Sequence, residues 1–219
     1  MRFFVDTANM REIEQAVELG IITGVTTNPA LILREGTKNI RDVIRQIKSI
    51  ADVEVLTQVL ASEANDMVRQ ATEIASWHDN VTVKIPMTLE GIKAVGILSK
   101  QNVKTCMTVL FTVGQALAAA AAGATYIAPF VVRSDDICSR GSELVSDINL
   151  VYNKQGITTQ ILAASIVTPM DVVNSFEAGA DVVTAPYKTW KKLIEHRTSQ
   201  ATVEEFLQGW TGKELDVTL

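Results

Sequence analysis

One lysine stands where an apolar strand is expected. In Val81-Thr82-Val83-Lys84-Ile85-Pro86 the alternation puts Val81, Val83 and Ile85 on one face and Lys84 on the other. Burial penalises the charged form of a lysine, and a neutral amine is the nucleophile that forms a Schiff base with a ketone. The plainer reading is a lysine that snorkels to a rim and has no role. Asp6, closing the run Phe3-Phe4-Val5-Asp6, is the natural companion. A Schiff-base enzyme needs a group to shuttle a substrate hydroxyl proton during carbon–carbon cleavage, and a carboxylate suits that work. Its plainer reading is a cap for the helix that starts near Met10.

The rest of the composition narrows the chemistry. Of 219 residues only two are histidine, His78 and His196, and two are cysteine, Cys106 and Cys138. Neither a three-histidine zinc site nor a finger-type structural zinc site can be built from these. His78 and His196 lie away from any strand end and are expected on the surface, whereas Cys106 is expected in the core. Twenty basic against twenty-five acidic residues give a net charge of −5, and no basic block dominates, which argues against nucleic acid as a partner. No residue from 105 to 132 is charged, a pattern that a hydropathy rule reads as a membrane span. Its glycines, Pro129 and alanine-rich middle fit a buried strand–helix–strand unit instead, so no membrane partner is expected. The N-terminal run is too short for a signal peptide, and a cytoplasmic location is expected.

Such side chains must be held by a frame, and the frame is an alternation. Short β-branched runs at 3–6, 24–27, 53–59, 81–85, 104–109, 125–129, 159–163 and 181–184 read as strands. Helical segments at 10–19, 40–50, 62–77, 88–100, 112–122, 135–154, 169–177 and 189–196 separate or follow them. A final amphipathic helix is expected at about 202–210, with Val203, Phe206, Leu207 and Trp210 at helical spacing. Leu19-Gly20, Ala122-Gly123 and Ala178-Gly179 repeat one joint, a helix ended by glycine. The expected fold is a (β/α)₈ barrel forming a single domain over residues 1–219. A doubly wound open sheet is the alternative, disfavoured because no glycine-rich dinucleotide fingerprint or Gly-Lys-Ser/Thr phosphate loop is present.

In a barrel, chemistry belongs to the C-terminal strand ends. That rule selects Asp6, then Thr26 and Asn28, then Gln58, Lys84 and Thr108, and finally Phe130, Arg133 and Ser165. Asn28 before Pro29 reads as turn chemistry or as a donor to substrate. Arg133 and Ser165 together fit a phosphate clamp.

The segments Phe4-Val5-Asp6-Thr7-Ala8, Gly24-Val25-Thr26-Thr27-Asn28-Pro29, Val83-Lys84-Ile85-Pro86, the run 123–133 and Ala163-Ala164-Ser165 occur in order along almost the whole chain. In this set the sequence closely resembles the small transaldolases and the fructose-6-phosphate aldolases that share their fold. The resemblance implies a barrel with no cofactor and no metal, acting on sugar phosphates. By this likeness Lys84 forms the imine, Asp6 takes the C4 hydroxyl proton, and Thr26 and Asn28 hold substrate hydroxyls. Thr108 and Gln58 would position the water, and Arg133 and Ser165 would bind phosphate. The family's homo-oligomers, pentamers or decamers, imply that the C-terminal helix packs on a neighbour.

Two positions point opposite ways. Transaldolases typically carry glutamate where Gln58 stands, and the aldolases glutamine. At Phe130 the transaldolases have phenylalanine and the aldolases tyrosine. The likeness around residues 1–8 and 123–133 favours the transaldolases, which pass the dihydroxyacetone unit to an aldose phosphate. Release of free dihydroxyacetone by an aldolase is the alternative. A catalytically silent sugar-phosphate-binding barrel and an aldolase of the deoxyribose-phosphate kind are competitors of other sorts.

Overall fold

The eight expected strands are all present, and their parallel pairing closes on itself. The computed structural model describes residues 1–135 and 141–209. The first half of the ring runs β1 (Arg2–Asp6), α1 (Met10–Glu18), β2 (Ile22–Thr26), α2 (Pro29–Arg34), α3 (Ile40–Ile50), β3 (Glu54–Gln58), α4 (Ala64–Ala75), β4 (Val81–Pro86) and α5 (Leu89–Lys100). The second half runs β5 (Thr105–Leu110), α6 (Val113–Ala121), β6 (Tyr126–Pro129), α7 (Val131–Asp135), α8 (Gly141–Gln155), β7 (Gln160–Ala163), α9 (Pro169–Glu177), β8 (Val182–Ala185) and α10 (Tyr187–Ile194), followed by α11 (Arg197–Gln208). Each strand pairs with the next, and β8 pairs with β1, giving a closed (β/α)₈ barrel rather than an open sheet.

Strand alternation divides the apolar residues into two cores. Phe4, Leu56, Cys106, Tyr126, Ala128, Leu162 and Val182 fill the barrel interior. Val5, Val25, Val55, Val83, Ile85, Met107 and Val183 face outward and meet Ile13, Ile47, Met67, Leu98 and Ile148 of the surrounding helices. The uncharged stretch from 105 becomes β5, α6 and β6, the expected strand–helix–strand unit. Among the described residues no helix is long and apolar enough to cross a membrane. The glycine joints also appear: Gly123 and Gly179 have φ of 89° and 97°, the left-handed region in which a side chain is strained.

Three boundaries depart from the sequence reading. Asn28 and Pro29 start α2, a helix of six residues, too short to show a period. Residues 131–135 form α7, a helix the sequence reading does not expect, and the described part of the helix expected at 135–154 is α8, Gly141–Gln155. The C-terminal helix spans Arg197–Gln208 instead of about 202–210. Its polar first turns carry no apolar face, so only Val203 onward was legible. Trp210 and Cys138 lie outside the described residues.

The two ends of the barrel interior differ. At the N-terminal end Arg2 bridges Glu54 (3.2 Å), Tyr126 (2.9 Å) and the Gln160 amide oxygen. Tyr126 and Thr82 both donate to Glu54, at 2.9 and 2.7 Å. Burial pushes the Tyr126 phenol up to about 12, so it stays a donor to that carboxylate at any ordinary pH. One layer above, the ring of Phe4 lies against Gly24. A Cβ built on Gly24 would stand 2.5 Å from a ring carbon of the fully buried Phe4. Gly24→Ala is therefore expected to destabilise the fold by about 2 kcal/mol through overpacking, read as a lowered urea midpoint at unchanged slope.

Candidate active site

The upper layer is polar, and it begins with the strand residue that stood out in the sequence. Lys84 is 9% exposed, and its Nζ donates to the Thr27 carbonyl at 3.0 Å. Parallel register sets Gln58 of β3 on one side of Lys84 and Cys106 of β5 on the other. The side chain of Lys84 thus lies inside the barrel and does not run out to the surface.

Asp6 is not a helix cap. Asn9 caps α1, its side chain accepting from Glu12 N, while Asp6 pairs in register with Thr26 and accepts that hydroxyl at 2.6 Å. The turn reading of Asn28 resolves into a helix cap. Its Oδ1 accepts from Leu31 N at 3.0 Å and caps α2, yet the residue also lines the cavity above Lys84. With the oxygen engaged by the cap, the amide NH₂ is the part left for a ligand.

That cavity holds about 120 Å³ and opens at the C-terminal strand ends. Asp6, Thr26, Asn28, Lys84, Phe130, Arg133 and Ser165 all line it. Wider grooves on the outer helices, such as one beside Lys93 and Gly123, contain none of these residues. Arg133 lies on α7, exposed, with its guanidinium 5.4 Å from the Phe130 ring centroid. Ser165 follows the Phe130–Ala164 bridge and holds a left-handed φ of 61°, unusual for a residue with a side chain. Both reach the cavity from the β6–β7 side, where they form a polar, positively charged corner.

Gln58 and Thr108 stand next to the cavity without lining it. Thr108 is 1% exposed, and its Oγ1 has no protein partner among the described residues. Such a buried hydroxyl calls for a ligand or an ordered water. A bulge follows it: the β5–β6 register shifts between Thr108 and Leu110, and Val109 between them has a φ of 63°. The extra residue reverses the alternation, so Thr108 faces inward while Leu110 joins the outer core.

Among the cavity residues that carry a hydroxyl or thiol, sequence reasoning missed Thr184 and Cys106. Thr184 ends the inward face of β8, and the signal was there: a polar residue at the end of an otherwise apolar strand. Cys106, expected in the core, is fully buried and also forms part of the cavity wall. Burial pushes its thiol up to about 12, with the nearby Lys84 charge acting in the opposite direction, so it is not a nucleophile near neutrality. His78 and His196 are exposed, as expected. Among the described residues no three His, Cys, Asp or Glu side chains come together as the donor set of a metal ion would require.

The comparisons with known proteins agree with this architecture. The Thermoanaerobacter sp. (strain X514) protein named "Probable transaldolase" is 44% identical over 210 residues, covering 96% of this chain and 97% of its own. A "Probable transaldolase" of Clostridium botulinum (strain Eklund 17B / Type B) is 46% identical over 212 residues, covering 97% and 99%. Among solved structures, thiamine phosphate pyrophosphorylase from Pyrococcus furiosus superposes with a TM-score of 0.57 at 16% identity, covering 94% of this chain and 96% of its own, a likeness of fold alone. The family model described as Transaldolase/Fructose-6-phosphate aldolase matches residues 3–217, a span that takes in all of the barrel strands but Arg2 and every residue around the cavity. With that match and relatives at this identity over nearly their full length, the chain belongs to the transaldolase/fructose-6-phosphate aldolase family.

Proposed function

We propose that this protein is a Schiff-base transaldolase that moves a dihydroxyacetone unit from fructose 6-phosphate, or sedoheptulose 7-phosphate, to an aldose phosphate. The observation that carries the reading is Lys84: the one amine lining the cavity among the described residues, buried and on the same polar layer as Asp6. Its Nζ attacks the C2 ketone, and loss of water gives the imine. Asp6 takes the C4 hydroxyl proton as the C3–C4 bond breaks. The bonding pair flows into C2–C3 while the imine nitrogen takes up its π electrons, leaving an enamine and glyceraldehyde 3-phosphate. Addition of the enamine to the incoming aldehyde reverses these steps, and Asp6 returns its proton to the new hydroxyl. Thr26 and the Asn28 amide hold substrate hydroxyls, and Arg133 with Ser165 holds the phosphate. Thr108 and Gln58 orient the water that makes and breaks the imine.

Phe130 favours transfer over release. A tyrosine there would supply a hydroxyl to the hydrolytic water, and phenylalanine does not. Gln58, the residue typical of the aldolases, orients that water without accepting its proton. Phe130→Tyr is expected to raise the ratio of dihydroxyacetone release to transfer by about fivefold, within the range of one hydrogen bond. The ratio is measured by coupled assay, and an unchanged value would remove position 130 from the argument. Fructose 6-phosphate consumption with and without erythrose 4-phosphate tests the function itself. Turnover that depends on the acceptor marks a transaldolase; equal turnover without it marks an aldolase.

The same proposal includes a cytoplasmic homo-oligomer, a pentamer or decamer by family likeness. Its support is α11, which has no buried residue and exposes Val203, Phe206 and Leu207.

A further inference from the structure

The carboxylate of Asp6 is the end of a chain of hydroxyls. Thr26 Oγ1 donates to Asp6 Oδ1 at 2.6 Å. A hydroxyl has one proton and two acceptor lone pairs, so this bond uses the only donor that Thr26 has. Thr26 Oγ1 is also 2.6 Å from Thr184 Oγ1. That second contact must then be filled by the proton of Thr184, and the chain has one direction, from Thr184 through Thr26 to Asp6. Both threonines are buried, at 4% and 1% exposure, so bulk water does not compete for either hydroxyl. The strands make the relay possible. Thr184 pairs in register with Phe4, one inward position below Asp6, while Thr26 pairs with Asp6 itself. The hydroxyl of β8 therefore reaches that of β2 across the interior, beneath the carboxylate of the strand between them.

We propose that Thr184 is a positioning residue for the Asp6 base. Its hydroxyl fixes the Thr26 proton on Oδ1 and leaves Oδ2, which has no protein partner among the described residues, to take the substrate proton. The proposal rests on the Schiff-base reading above. Without the Thr184 hydroxyl, the Thr26 oxygen loses the donor that anchors it, and the carboxylate that Thr26 donates to loses its fixed orientation. The loss falls on the step in which Asp6 moves the C4 proton. Imine formation at Lys84 and phosphate binding by Arg133 and Ser165 do not pass through this chain.

Thr184→Val removes the hydroxyl and keeps the branched shape. The expected result is a fall of about tenfold in kcat for fructose 6-phosphate cleavage, with KM changed less than about twofold. Thr184→Ser, which restores the hydroxyl, is expected to return kcat to within about threefold of wild type. Borohydride trapping of dihydroxyacetone on Thr184→Val, read by mass, should match wild type, because that adduct needs only Lys84. A Thr184→Val kcat within twofold of wild type, or a serine variant no faster than the valine one, overturns the proposal. If the valine variant fails to fold, Thr184→Ala and Thr184→Ser are compared by the same criteria. A wild-type protein that traps no adduct overturns the Schiff-base reading and Thr184 with it, whereas a trapped adduct with unchanged valine kinetics removes Thr184 alone.

Discussion

Replacing Lys84 with methionine is expected to lower turnover of fructose 6-phosphate by at least about 10⁴-fold, the scale on which removal of a covalent nucleophile is felt. No other side chain lining the described cavity can take over. Cys106 is the nearest candidate by register, and its thiol, pushed up to about 12 by burial, stays protonated. Methionine fills nearly the same volume and brings no charge into the interior, so the fold is expected to survive. Among the described residues the protein bond lost is that to the Thr27 carbonyl, worth about 1 kcal/mol. Thermal unfolding should therefore shift by a few degrees at most, while mass gain after borohydride reduction with fructose 6-phosphate disappears. Wild-type rate in this variant would end the Schiff-base assignment. A folded wild type that binds fructose 6-phosphate but never gains mass would leave a sugar-phosphate-binding barrel as the answer.

Asp6→Asn is expected to slow cleavage by about 10²- to 10³-fold, as loss of a positioned base does. The substitution is close to isosteric, and an amide oxygen can still accept from Thr26, so the surroundings are retained. What changes is basicity: an amide does not take up the C4 proton. The adduct with dihydroxyacetone should still form in this variant, because no carbon–carbon bond breaks in making it. A single-turnover measurement of glyceraldehyde 3-phosphate release checks the first expectation and borohydride trapping the second. Cleavage within tenfold of wild type would move the role of base to another group.

How far the sequence could be read follows from the length scale of each signal. The strands announced themselves because β-branched runs such as Val81-Thr82-Val83 recur between glycine and helix signals, and period-two alternation singled out Lys84 within its strand. The helices α2 and α7 did not, since a helix of five or six residues shows less than two turns of period. The position of Arg133 on such a turn was accordingly invisible, although its arrival at the mouth was not. Asn28 looked ambiguous between a turn and a substrate contact because its side chain caps α2 while the residue also lines the cavity. The contacts of Thr184 with Thr26 and of Lys84 with the Thr27 carbonyl depend on the curved, closed ring, which brings β8 beside β1 and places side chains from non-adjacent strands together. Pattern along the chain carries no information about that third dimension. The Arg2, Glu54, Tyr126 and Gln160 cluster was hidden for the same reason, because charged residues at strand beginnings read as surface.

That cluster decides how traffic moves. Arg2, tied to Glu54, Tyr126 and Gln160, crosses the N-terminal end of the interior, and the cavity lies at the other end, among the C-terminal strand ends. Under the proposed reaction, the aldehyde cut from the donor must leave by the doorway through which the acceptor arrives. The two three- and four-carbon partners therefore take turns, and between their visits the enamine waits alone at the base of a dead-end vestibule. Under that reaction the protein holds a half-finished sugar for a time set by how rarely water is admitted through that same door.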